Sequence, residues 1–150
     1  MVFEVDKKLF SIFLCIFVLG IAVSVASLET SNAAYNGHYW SKSESFSNGN
    51  GLYLTAYLNG HTRVYSKNHF AMNSKSRYYD YYSGYYYGYA TYKIDLRKIN
   101  SRYIRITRVK RFPTGRYSTT RKNVYYRNSL ARYYKYKHRT LRQQQYNWLT

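Results

Sequence analysis

The pattern of apolar and polar positions changes period along the chain. Residues 9–25, LFSIFLCIFVLGIAVSV, form an uncharged run with only two serines. A polar stretch containing Lys7 and Lys8 precedes it, and small residues end it, with Ser24 and Ala26 spaced for cleavage between Ala26 and Ser27. This order predicts a secretory signal peptide over residues 1–26, helical in its apolar part. A second small-residue site, Ser31-Asn32-Ala33, leaves two places for the cut. Seventeen residues is the short edge of a bilayer-spanning helix, so an uncleaved membrane anchor over 9–25 is the alternative.

Beyond it the period shortens to two. Residues 27–51 are rich in Ser, Asn and Gly and read as a polar linker or a first strand. Residues 52–58, LYLTAYL, alternate strictly, with Leu52, Leu54, Ala56 and Leu58 on one side and Tyr53, Thr55 and Tyr57 on the other. Asn59-Gly60 follows and predicts a hairpin turn into HTRVYS, in either of two registers. Residues 66–88 hold almost no aliphatic side chain. Within them Tyr78–Tyr89 is a Gly-punctuated Tyr run that reads as a strand-turn-strand or a mobile loop. Residues 89–96 and 103–109 are β-branched and aromatic, as strands are. Phe112-Pro113-Thr114-Gly115 is a turn with Pro at its favoured position, and a strand pair is expected to flank it.

The last segment changes period again. From Ser129, a natural N-cap, no Pro or Gly interrupts the chain. On a helix over 129–149, Leu130, Tyr134, Leu141 and Trp148 share one stripe, and Arg132, Lys135, Arg139 and Arg142 the opposite one. The fold class this predicts is mainly β, a small β-sandwich or a meander or barrel-like sheet. A C-terminal amphipathic helix follows it, and a signal-peptide helix precedes it. The basic Tyr-rich domain is expected over 52–150.

Composition sharpens the picture at two points. Of 150 residues, 24 are Lys or Arg and only 6 are Asp or Glu, for a net charge of +18. The excess is concentrated: residues 93–142 hold 17 basic side chains and one acid, Asp95. Self-repulsion on this scale works against a compact state unless salt or an anionic partner screens it. Ile, Leu, Val and Phe are scarce after residue 26, so the core must draw on the 22 tyrosines, whose rings bury well while the hydroxyls stay hydrogen-bonded. The single cysteine, Cys15, lies inside the apolar run, which excludes a disulfide scaffold and a cysteine-based metal cluster. A Cys-free exported domain fits a bacterial source better than a disulfide-rich secreted one.

Candidate chemistry follows from the interleaving of cations and rings. Arg102, Arg105, Arg108, Lys110, Arg111, Arg132, Lys135, Arg139 and Arg142 are the candidate polyanion-binding residues. Tyr78, Tyr79, Tyr81, Tyr82, Tyr85, Tyr86, Tyr87 and Trp148 are candidate aromatic contacts, able to stack on sugar or base rings. For a secreted or cell-surface protein the expected partner is an anionic cell-wall polymer of the teichoic-acid kind or an anionic membrane surface, with extracellular nucleic acid bound without sequence preference. A cationic antibacterial toxin acting on membranes through the basic helix is the alternative. This layout is shared by many small exported bacterial proteins, some bacteriocins among them, and no motif ties it to one of their families. A hydrolase is a weaker third reading. Glu44 and Asp80 are its only carboxylate pair, and His38 with Arg63 or His69 with Arg77 its basic candidates. No nucleotide loop, nucleophile elbow or metal motif is present, and no cofactor or metal is expected.

Overall fold

The computed structural model describes residues 35–150. The expected signal segment over 1–26, with Cys15, lies outside the described residues. Six strands form one antiparallel sheet in sequence order: β1 Tyr39–Ser47, β2 Tyr53–Ser66, β3 His69–Asp80, β4 Tyr86–Lys98, β5 Tyr103–Arg111 and β6 Tyr117–Tyr125. One helix, α1 (Leu130–Leu149), follows. Of the expected β architectures this is a meander. A sandwich needs a second sheet, and among the described residues there is only one.

The core lies between one face of the sheet and α1, which packs against β2, β3 and β4. Alternation places Leu58, Phe70, Met72, Ile94, Leu96, Ile104 and Ile106 on that face, all buried. Small residues lie among them: Gly60 pairs with Ser74, and Ser76 with Ala90. They leave room for the larger rings of Trp40, Tyr133 and Tyr134, which join the same core. Tyrosine thus supplies part of the interior, as its abundance predicts.

Asn59-Gly60 is the main correction to the sequence reading. It does not turn the chain but lies in the middle of the fourteen-residue β2. The reversal comes later, where Ser66 pairs with His69 beyond a bulge after Val64. Glycine stands at position 60 because the Trp40 indole packs over it, and a Cβ there would collide with the indole Nε1 and Cε2 atoms. Two undecided segments also resolve. Residues 39–47, within the polar stretch, are β1, and the Tyr run is a strand-turn-strand. The Pro113 turn forms as expected, with Phe112 N–H donating to Arg116 O at 2.8 Å. Ser129 caps α1 by accepting from Arg132 N–H at 3.2 Å. Tyr126 and Asn128, in the link before the helix, are held by Lys98, whose ammonium donates to both backbone carbonyls.

Candidate functional site

The face of the sheet turned away from α1 has no element packed on it among the described residues. Strand parity decides what it displays. In β4 the buried set is Ala90, Tyr92, Ile94 and Leu96, so Tyr89, Thr91, Lys93, Asp95 and Arg97 project to the other side. The cross-strand register brings Arg63, Lys75 and Arg77, Arg105 and Arg111, and Arg121 from β2, β3, β5 and β6 onto the same face. Asp95 is its one acid among the described residues.

Two contiguous depressions cross this face. The larger, about 560 Å³, is lined by Lys75, Arg77 and Lys93 and bordered by Tyr39 of β1 and Tyr117 of β6. Residues of both edge strands reach one depression, so the sheet curls toward its uncovered side. The smaller, about 350 Å³, holds Asp95 among Arg97, Arg105 and Arg121. Lys93 and Val109 belong to both.

Several cations here are held in place. Tyr89 has the Lys75 ammonium and the Arg111 guanidinium each 4.0 Å from its ring centre, close enough for cation–π attraction. Arg111 also donates to the Tyr89 carbonyl at 3.0 Å. Asp95 accepts from His69 Nε2 at 2.7 Å and from Arg97 Nε at 2.9 Å, with Lys93 Nζ 3.9 Å away. Tyr65 stacks on the His69 ring at 4.5 Å. Burial alone would raise the Asp95 carboxyl; the hydrogen bonds from His69 and Arg97 outweigh it and hold the group below the usual carboxylate range.

The residues singled out from sequence do not form one surface. Arg105 and Arg111 lie on the open face. Arg108 and Lys110 project to the helix side, where Arg108 donates to Gln144 and Lys110 lies 5.1 Å and 5.0 Å from the ring centres of Tyr92 and Trp148. Arg102 is in the β4–β5 turn. Arg132, Lys135 and Arg139 are on the exposed side of α1, and Arg142 is half-buried beside Tyr146. Absent from the expected polyanion-binding set are Arg63, Lys75, Arg77, Lys93, Arg97 and Arg121, of which Arg63 and Arg77 entered only as hydrolase candidates. Parity along β4 was the available signal, because 89–97 is polar at odd numbers and apolar at even ones.

The aromatic set divides as well. Tyr78 is half-buried and its hydroxyl donates to Leu149 O at 2.8 Å, closing the end of α1. Trp148 packs between Tyr92 and Phe112. Tyr81, Tyr82, Tyr85, Tyr86 and Tyr87 are exposed at the β3–β4 tip, Tyr82 at 84%. Their turn is well built: Asp80 Oδ1 accepts from the Tyr82 and Ser83 amides and the Ser83 hydroxyl. Tyr79 bridges the tip to the open face, with Tyr57 at 5.7 Å and Tyr86 at 5.2 Å.

The hydrolase candidates are engaged in structural contacts. Glu44 pairs with Lys42 at 2.6 Å, and Asp80 holds its turn. β2 runs between their two strands, and two strand spacings alone are about 10 Å. No group of three or more His, Cys, Asp or Glu is placed to hold a metal among the described residues. His38 lies between β1 and α1: it reaches the Tyr134 hydroxyl at 3.4 Å, and its ring is 5.7 Å from that of His138. Burial, then the nearby His138 and Arg142, lower its pKa. No family model matches the chain, and no curated protein or solved structure is detectably similar to it.

Proposed function

We propose that this protein is a binding module for anionic polymers of the cell envelope, of the teichoic-acid kind, and that the uncovered face of the sheet holds them. One observation carries the reading. Eight Arg and Lys side chains from five adjacent strands converge on an inward-curling face that, among the described residues, is uncovered and contains a single acid. An anionic chain laid along it neutralises charges that otherwise repel one another, and releases its counterions. Tyr39 and Tyr117 stand at the rim as ring surfaces for sugar substituents. The leader expected over 1–26 would deliver the protein to such polymers. A membrane-perturbing toxin is less favoured, because the apolar stripe of α1 is spent on the sheet: Leu130, Tyr134, Leu141 and Leu149 are all buried.

The test compares two faces of one protein. Binding of poly(glycerol phosphate) is measured against salt, and is expected to be lost by ~1 M, where the Debye length is about 3 Å. Lys75→Gln, Lys93→Gln and Arg121→Gln together are expected to lower the slope of log affinity against log salt by about 2. Arg132→Gln, Lys135→Gln and Arg139→Gln together, on the outer side of α1, are expected to change it little. The opposite ranking would move the site to the helix, and salt-independent binding would overturn the electrostatic reading.

A further inference from the structure

Within that reading of the open face, we infer that Asp95 divides it into two anion subsites, so that the protein selects anionic polymers by length. Asp95 is only 13% exposed and draws His69, Arg97 and Lys93 toward itself. The two cations, Arg97 and Lys93, are therefore partly neutralised by a charge the protein supplies. Lys75 and Arg77 remain on the β3 side of Asp95, and Arg105 and Arg121 on the β5–β6 side, Arg121 in the same cross-strand row as Asp95.

The register sets the separation of the two pairs. Lys75 is level with Thr91 of β4, and Arg105 is level with Arg97, six residues along the same strand. At about 3.4 Å per residue, Lys75 and Arg105 are about 20 Å apart along the strands, and Arg121 lies about 14 Å along from Lys75 and three strands away. Asp95 lies between the levels of Lys75 and Arg105, level with Thr107 of β5, which in turn pairs with Arg121. A compact phosphate centred on the face meets the carboxylate. An anion confined to either end reaches one cation pair. Only an extended chain that passes over Asp95 engages both, and its second contact is then intramolecular, with the gain in effective concentration that this brings. The ligand class is a linear polyanion with an anionic group in every repeat, longer than one subsite.

The test is a length series of glycerol-phosphate oligomers, from dimer to dodecamer, titrated calorimetrically into the full chain at low salt. Affinity is expected to rise in a step of at least about tenfold once the oligomer reaches both subsites, and gradually on either side of it. Asp95→Asn frees Arg97 and Lys93, so it should strengthen binding of the short oligomers about tenfold and abolish the step. Arg121→Gln, at an exposed edge position, is the variant least prone to disturb folding. It should weaken the long oligomers toward the short ones and leave the short ones bound to Lys75 and Arg77 unchanged. A smooth rise with length in the native protein, or an Asp95→Asn profile identical to it, would overturn the length selection while leaving the polyanion site standing. Failure of every oligomer to bind would instead overturn the site itself.

Discussion

At the residue scale, two positions concentrate the constraints of this fold. Gly60 and Trp40 are a matched pair, a missing side chain and the ring that occupies its place. Gly60→Ala should therefore destabilise the protein by about 2–3 kcal/mol, read by chemical denaturation, although alanine suits a strand no worse than glycine. A companion Trp40→Leu should recover part of that loss, and additive losses would show the two positions to be independent. His38 is the second. The groups facing it are Tyr134, His138 and Arg142 from α1, and its pKa is lowered in the fold. A histidine with a lowered folded pKa costs nothing above its unfolded value near 6.5, and destabilises the fold as pH falls through that value toward the folded one. The melting temperature should thus drop between about pH 7.5 and about pH 5, with a smaller drop in His38→Gln. Asp95 has the same sign in a lower window: its hydrogen-bonded carboxylate stabilises the fold above about pH 4, and that stabilisation is lost on further acidification.

At the scale of elements, α1 depends on its ends as well as its apolar stripe. Ser129→Ala should cost about 1 kcal/mol through the lost cap, measured by thermal or denaturant melts, and Ser129→Asp should retain most of it. That cap was legible in the sequence, as were the Pro113 turn and the strands containing Ile94 and Ile104, because each is decided by neighbouring residues. What was not legible depended on distant ones. Asn59-Gly60 carries the local signature of a turn, and only the Trp40 side chain, packed from another strand, explains why it is straight. β3 was hard to read because its inward positions include Ser74 and Ser76, small polar residues buried where the core needs little volume. The cationic open face was missed for a different reason. Arg102, Arg105, Arg108 and Arg111 recur every third residue, a spacing that groups charges on a helix and sends them to alternate sides of a strand. The exposed edge strand β6, carrying Arg121 and Lys122, presents charge where unpaired backbone would otherwise invite another chain.

For the whole molecule, net charge and stability pull in opposite directions. A protein held together by surface ion pairs loses stability as salt screens them. Here repulsion is expected to dominate, at +18 with three Lys or Arg ion-pair contacts among the described residues, two of them to Asp95. Its melting temperature is expected to rise with sodium chloride up to physiological strength and beyond, and to rise further with a bound polyanion at far lower ionic strength. A melting temperature that fell with salt would mean that attractive pairs outweigh the repulsion.

The order of the elements has a consequence for how the chain is made. Every strand pairs with its neighbour in sequence, so the sheet can assemble hairpin by hairpin as the polypeptide emerges. Its greasy side must wait, because the helix that shields it among the described residues comes after all six strands. A product truncated after Asn128 would be a basic, sticky ribbon rather than a smaller version of the protein. It should bind an apolar dye and be cleared by proteases, whereas the finished chain should do neither. The helix thus has to be made to its last turn before the sheet is shielded, since Leu149 is itself buried in the core.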